Sequence, residues 1–210
     1  MKNIFLDCGT NLGQGLVQFI DKKLINNTFE IHCFEPNPYA LEYSKKRFAD
    51  DKFKKYNITF HEVALWVEEC KKTFTLESFT GEYVCMHSGE HLGYDLKAGG
   101  ASNIMGNKWR KPGWIQDDWL SNDMKVDCID FSNFLKTNIN TEDYVVCKMD
   151  IEGAEFEIIP KLLHENTIDL INEIYIEWHD CNNLLIGDYN HIPFVKKLKE
   201  RKNLKVKEWL

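Results

Sequence analysis

Apolar positions along the chain switch repeatedly between two periods. Ile4-Phe5-Leu6 is an unbroken apolar run ending at Asp7, the pattern of a strand covered on both faces. Leu12, Leu16, Val17, Phe19, Ile20 and Leu24 then recur at helical spacing. A second strand is predicted over 30–34, and Pro38 suits the first turn of a helix running to Arg47. Ile58 to Leu65 reads as a third strand and Lys72 to Leu76 as a further piece of sheet. Val126 to Ile129 is short and extended, with Asp130 placed to cap a helix over Phe131–Leu135. Tyr144 to Met149 is a strongly apolar strand ending at Asp150. Gly153 then opens a helix carrying Phe156, Ile159, Leu162 and Leu163 on one face, with Pro160 as a candidate kink. Ile174-Tyr175-Ile176 is another strand, running into Glu177-Trp178-His179, and a helix around Phe194–Lys202 precedes an edge strand over Leu204–Trp209. Strand–helix alternation of this kind predicts an α/β fold, a doubly wound, mostly parallel sheet with helices on both faces.

One stretch departs from the alternation. Residues 79–122 hold seven of the twelve glycines and three of the six tryptophans, Trp109, Trp114 and Trp119, and follow neither period. A stretch of that length without regular structure inside a compact domain is usually a lid or binding loop. The chain is therefore expected to be a single domain over 1–210, with 79–122 as a substrate-side insertion. A formal charge of −7 argues against a nucleic-acid partner. Arg occurs only at 47, 110 and 201, which disfavours an Arg-built phosphate clamp. Seven cysteines form no Cys-x-x-Cys pair, and Cys8, Cys33, Cys128 and Cys147 sit in apolar runs, as buried, reduced thiols do. The opening residues read as strand rather than leader, and no apolar run approaches the roughly 20 residues of a bilayer span. These features predict a soluble cytoplasmic protein with no membrane partner.

The first strand leads into Asp7-x-Gly9-x-Asn11-x-Gly13, and about twenty residues later the second strand ends on Glu35. A strand, a glycine turn, a helix and a second strand ending on a carboxylate mark a nucleotide-type cofactor site. Gly9 permits a sharp turn of either φ sign, and Gly13 allows close approach to the helix. The dinucleotide pattern Gly-x-Gly-x-x-Gly fails twice, since Asn11 and Gln14 occupy its second and third glycine positions. A carboxylate at Glu35 can hold both hydroxyls of a ribose in either cofactor class; otherwise it is a helix-capping acid.

These segments, together with Phe34-Glu35-Pro36, Val63-Ala64-Leu65 and above all Lys148-Met149-Asp150-Ile151-Glu152-Gly153-Ala154-Glu155, resemble the FkbM family of S-adenosylmethionine-dependent methyltransferases. The resemblance runs from the first strand to about His179. It implies a class I methyltransferase (Rossmann-like) fold and methyl transfer to a hydroxyl oxygen of a sugar, glycan or polyketide-type acceptor. It also implies that Asp7, Gly9, Thr10, Asn11 and Gly13 line the methionine and ribose side, with Glu35 and Pro36 at the ribose. Glu62, Val63 and Ala64 would border the adenine, Ser102 or Asn103 would reach the methionine carboxylate, and Asp150 would close the site.

Asp150 and Glu152 follow one core strand, and Glu177 and His179 the next, so all four should meet at the carboxyl edge of the sheet. Methyl transfer to an alcohol needs the acceptor aligned and its proton removed. His179 or Asp150 is the expected base, ahead of a Mg²⁺ site built from Asp150, Glu152 and Glu177. The Asp150–Gly153 segment also has a plainer reading, acids dressing a helix N-terminus. Glu155 and Glu157 are assigned to a solvated helix face. A small-molecule or glycan acceptor is the expected partner, and a homodimer is compatible with the sequence. The competing functions are an NAD(P)-dependent oxidoreductase and a non-catalytic cofactor-binding module, against which the failed glycine spacing and the intact carboxylates respectively count.

Overall fold

A computed structural model describes residues 1–78, 82–84, 91–94, 102–105, 120–179 and 190–209. The central sheet has strand order β11-β10-β9-β1-β2-β3. It is built from β1 (Asn3–Cys8), β2 (Phe29–Phe34), β3 (Asn57–His61), β9 (Tyr144–Met149), β10 (Glu173–Ile176) and β11 (Lys205–Glu208), and every pairing in it is parallel. The continuous apolar runs are explained by burial on both faces. Ile4, Leu6 and Cys8 of β1 enter one core, and Phe5 enters the other.

Helices cover both faces, as the alternation predicts. On the Phe5 side lie α1 (Gln14–Asp21) and α2 (Pro38–Phe48), through Leu16, Phe19 and Phe48. Phe19 sits 4.7 Å from the Phe5 ring, 4.8 Å from Tyr175 and 5.0 Å from Trp209. On the other side α3 (Phe131–Asn138), α4 (Glu155–His164) and α5 (Ile192–Lys199) contribute Phe131, Leu135, Ile158, Ile159, Leu162 and Leu198. The N-cap expected at Asp130 is present, accepting from the Asn133 N–H, and the structure adds Asn37, just before Pro38, which accepts from the Tyr39 N–H. Among the described residues no helix is long and apolar enough to cross a membrane. Cys8, Cys33, Cys128 and Cys147 are buried free thiols.

Three expectations change. The single strand expected over Ile58–Leu65 breaks after His61, and β4 (Ala64–Trp66) joins a separate three-stranded sheet, β4-β8-β5. The piece expected at Lys72–Leu76 is part of β5 (Cys70–Ser78), which belongs to that second sheet rather than the central one. The third change is β8, which runs from Leu120 to Asp130, well before Val126. Its polar opening residues have little strand preference of their own; they are held by antiparallel pairing with β5, Asp123 opposite Thr75, whose hydroxyl donates to the Asp123 carboxylate at 3.0 Å. Regular structure also enters the 79–122 stretch, with β6 (Glu82–Val84) paired to β7 (His91–Tyr94) and Asn103 bridged to Thr75. The three tryptophans of that stretch lie outside the described residues.

Candidate functional site

The strand order places a switch point between β1 and β9, where successive strands begin to add on the opposite side. Ligands of open α/β sheets bind beyond the carboxyl ends of strands at such points. Gly9 sits there with φ 79°, and a Cβ on it would lie 1.8 Å from the Asp150 carbonyl oxygen. No side chain fits, because the chain leaving β1 passes against the chain leaving β9. Asn11 follows at φ 48°, a conformation Asn tolerates better than most residues. Gly13 has φ 82°, and its Cβ would meet the Phe48 ring at 2.5 Å. The turn is bound into the fold: the Gly9 and Thr10 N–H groups donate to the Phe34 carbonyl at 3.1 and 3.0 Å, and the Ser44 hydroxyl donates to the Asn11 carbonyl at 2.6 Å.

Glu35 is buried at the end of β2. Its two carboxylate oxygens accept from the Asn11 and Asn37 N–H groups, both at 2.8 Å. Burial raises its pKa to about 7 against the pull of those two donors. One carboxylate thus braces both the glycine turn and the start of α2, and it lines the cleft described below.

Beneath the turn lies a buried charge relay that the sequence reading did not assign. Asp7 and Lys148 are register partners on β1 and β9, 0% and 2% exposed. The Lys148 ammonium is 3.5 Å from Asp7 Oδ1 and 3.0 Å from Asp150 Oδ2, and donates to the Gly9 carbonyl at 2.7 Å. Burial opposes the charge on Lys148, but Asp150 and Asp7 outweigh it and push its pKa up. Burial also raises the Asp7 pKa, with Lys148 as the main counterweight. Among the described residues the Asp7 carboxylate oxygens have no hydrogen-bond partner, so Lys148 is what holds that charge inside. A lone cation in the apolar run Val145–Met149 was the available signal.

On the β10 side, Glu155 corrects the sequence reading. It is fully buried rather than solvated. Its carboxylate accepts from the Gly153 N–H at 2.9 Å, the His179 N–H at 2.9 Å and His179 Nδ1 at 3.0 Å. Helical spacing alone does not reveal this, because the segment after β10 folds back over the first turn of α4. His179 Nε2 stands 3.5 Å from Glu152, 3.8 Å from Asp150 and 3.9 Å from Glu177. Burial pulls the imidazole toward neutrality, but the Glu155 hydrogen bond and the charges of Glu155, Glu152 and Asp150 prevail and lift its pKa to about 10. Burial raises the Glu152 pKa well above the carboxylate range, opposed chiefly by His179. Glu152 also holds a positive φ of 53°.

A cleft enclosing about 630 Å³, part of it open to solvent, runs along these groups. Of the sequence-predicted cofactor residues, Gly9, Asn11, Glu35, Pro36, Val63, Ala64, Ser102 and Asp150 line it, and Glu152 does as well. Asp7, Thr10 and Gly13 stand behind it: they shape the turn, with Thr10 Oγ1 donating to the Asp7 carbonyl at 3.0 Å. Glu62 is exposed and outside the lining. Asn103 is tied to Thr75 through its backbone and accepts from Met105 N–H, so Ser102 is the member of that pair at the cleft. Phe74 of β5 and Ile104, both unassigned by sequence, complete the apolar wall. That wall, the bound turn and the Glu35 carboxylate fit an adenosine-type group.

A family model described as Methyltransferase FkbM domain matches residues 7–192. No curated protein matches the sequence. Among solved structures the chain is similar to the methyltransferase FkbM from Methylobacillus flagellatus KT, at 16% identity and a TM-score of 0.41, over 78% of this chain and 29% of that one. The chain thus spans less than a third of that relative's length.

Proposed function

Since this chain belongs to the FkbM methyltransferase family, we propose that it transfers the methyl group of S-adenosylmethionine to a hydroxyl oxygen of a sugar or glycan. The observation that carries the cofactor is Glu35, a buried carboxylate on the cleft wall, beside a glycine turn that lacks the dinucleotide spacing. Its oxygens keep lone pairs beyond the two backbone donors they already accept, enough for a ribose diol. Val63, Ala64 and Phe74 would flank the adenine, and Asn11 and Ser102 the methionine portion.

Bound in this way, the cofactor would supply an electrophilic methyl on a sulfonium. An acceptor oxygen would take that methyl through a new C–O bond, the electron pair of the broken C–S bond remaining on sulfur. The hydroxyl proton must go to a protein base within hydrogen-bond reach. Asp150 is the carboxylate at the cleft that we assign to this step. With no cation among these carboxylates, His179 has a pKa of about 10 and carries a proton at neutral pH, so in that state it balances and holds them rather than starting as the base. The sugar class rests on the aromatic composition of residues 79–122, since aromatic faces stack on sugar rings.

Calorimetric titration with S-adenosylhomocysteine and, separately, NAD⁺ tests the cofactor. Micromolar binding of the first alone, weakened in Glu35→Ala, is expected. Failure of a folded sample to bind it, or preference for NAD⁺, defeats the reading.

A further inference from the structure

The geometry points to a divalent-cation site formed by Asp150, Glu152 and His179, suited to a borderline ion such as Mn²⁺ more than to Mg²⁺. One donor atom from each residue lies within 4.8 Å of the other two. Atoms sharing one ion at about 2.0–2.6 Å stand roughly 3–5 Å apart, so little adjustment is needed. Nε2 of His179 is 3.5 Å from Glu152 Oε2 and 3.8 Å from Asp150 Oδ1, with Glu177 Oε1 next at 3.9 Å.

The ring is oriented from outside this trio. Glu155, 0% exposed, accepts from Nδ1 at 3.0 Å and from the His179 backbone N–H at 2.9 Å, which turns Nε2 toward the two carboxylates. A carboxylate behind an imidazole is how proteins fix the tautomer of a metal-bound histidine and strengthen it as a donor. A solvated acidic cluster has neither an imidazole at its centre nor a buried anion behind it.

The donors also select the ion. Two carboxylate oxygens and one imidazole nitrogen, without a thiolate, suit Mn²⁺, Fe²⁺, Co²⁺ or Zn²⁺, whereas Mg²⁺ favours oxygen alone. Asp150 and Glu152 both line the cleft, so an ion held by them would sit at the edge of the space the acceptor enters. This deepens the proposed function and depends on it only for purpose: the ion would orient the acceptor hydroxyl and make it more acidic.

Mn²⁺ titration of the chelator-treated chain, read by loss of the free-ion EPR signal, tests the site. Binding at one ion per chain is expected, displaced by Zn²⁺ and not by equimolar Mg²⁺. Affinity should fall about 10–100-fold in Glu155→Gln, and at least as far in His179→Gln. Thermal melts establish that each variant is folded; should Glu155→Gln fail to fold, His179→Gln or Glu152→Gln decides. Substoichiometric binding by the parent chain, or unchanged affinity in a folded variant, overturns the site. Mn²⁺ binding with no binding of S-adenosylhomocysteine would instead remove the cofactor reading and leave the cation site standing.

Discussion

Lys148→Met removes the cation that holds two carboxylates together beneath the glycine turn. Methionine matches the length of the lysine stem, which runs under α1 so closely that a Cβ on Gly15 would lie 3.2 Å from Lys148 Cε. Packing is thus nearly conserved and the change is electrostatic. Asp7, 0% exposed and with no hydrogen bond to its carboxylate oxygens among the described residues, keeps a charge with no counterion, and the Gly9 carbonyl loses its 2.7 Å donor. Removing one partner of a buried pair costs about 3–5 kcal/mol. For a chain of this size each kcal/mol shifts Tm by roughly 2–4 °C, so a fall of about 6–20 °C is expected. Urea and thermal denaturation at pH 7 measure it. Asp7 already has a raised folded pKa, and in the variant it escapes the penalty by taking a proton. A carboxyl with a raised folded pKa is least costly below its unfolded value of about 3.9 and most costly above its folded value. The deficit therefore shrinks as pH falls through the raised folded value toward about 3.9. Adding Asp7→Asn removes the orphaned charge and should recover a large part of the loss. A fall below 2 °C in the single variant, or a double variant no more stable than it, would refute the relay.

Other consequences follow from individual residues. Gly13→Ala forces a left-handed φ on an L side chain, about 1–2 kcal/mol by itself, and drives Cβ into the Phe48 ring. A lowered Tm with weakened S-adenosylhomocysteine binding is expected, and an unchanged melt would contradict the geometry. Glu35, with a pKa of about 7, must release its proton to accept a diol. Affinity for S-adenosylhomocysteine should therefore decline below pH 7, by up to about tenfold per unit; calorimetry between pH 5.5 and 8 that showed no slope would count against it. Glu173 accepts from Tyr144, Lys205 and Lys207 at 2.6, 2.8 and 2.8 Å. Although burial pushes its pKa up, these partners bring it down to about 2, so its contribution is present above the unfolded value near 4.5 and is lost as pH falls toward 2. Both lysines are well exposed, so Glu173→Gln should cost only about 1 kcal/mol or less after screening. Faster amide exchange confined to β10 and β11 would show it.

Much of the site was legible as sequence because its signals are local. A left-handed turn needs glycine, an N-cap needs Asn or Asp, and an apolar run ending on a carboxylate marks the carboxyl edge of a buried strand. Gly9, Asp130, Glu35 and Asp150 follow from those rules. Glu155 did not, since the spacing of a helix defines its faces but not which of them a returning segment will cover. Lys148 was visible in the FkbM-like block yet had no role until β9 came to lie beside β1.

The sequence by itself determined the alternation of strand and helix, the parallel character of the central sheet and the position of the glycine turn. Each depends on backbone chirality, side-chain period and the conformational range of single residues, which act over a few positions. The tertiary structure alone decided that β4, β5 and the polar start of β8 form a second sheet, that Gly9 meets Asp150, and that four carboxylates surround one imidazole. Those outcomes depend on contacts between residues up to about 140 positions apart, and such contacts are chosen by the packing of the whole core rather than by any segment within it.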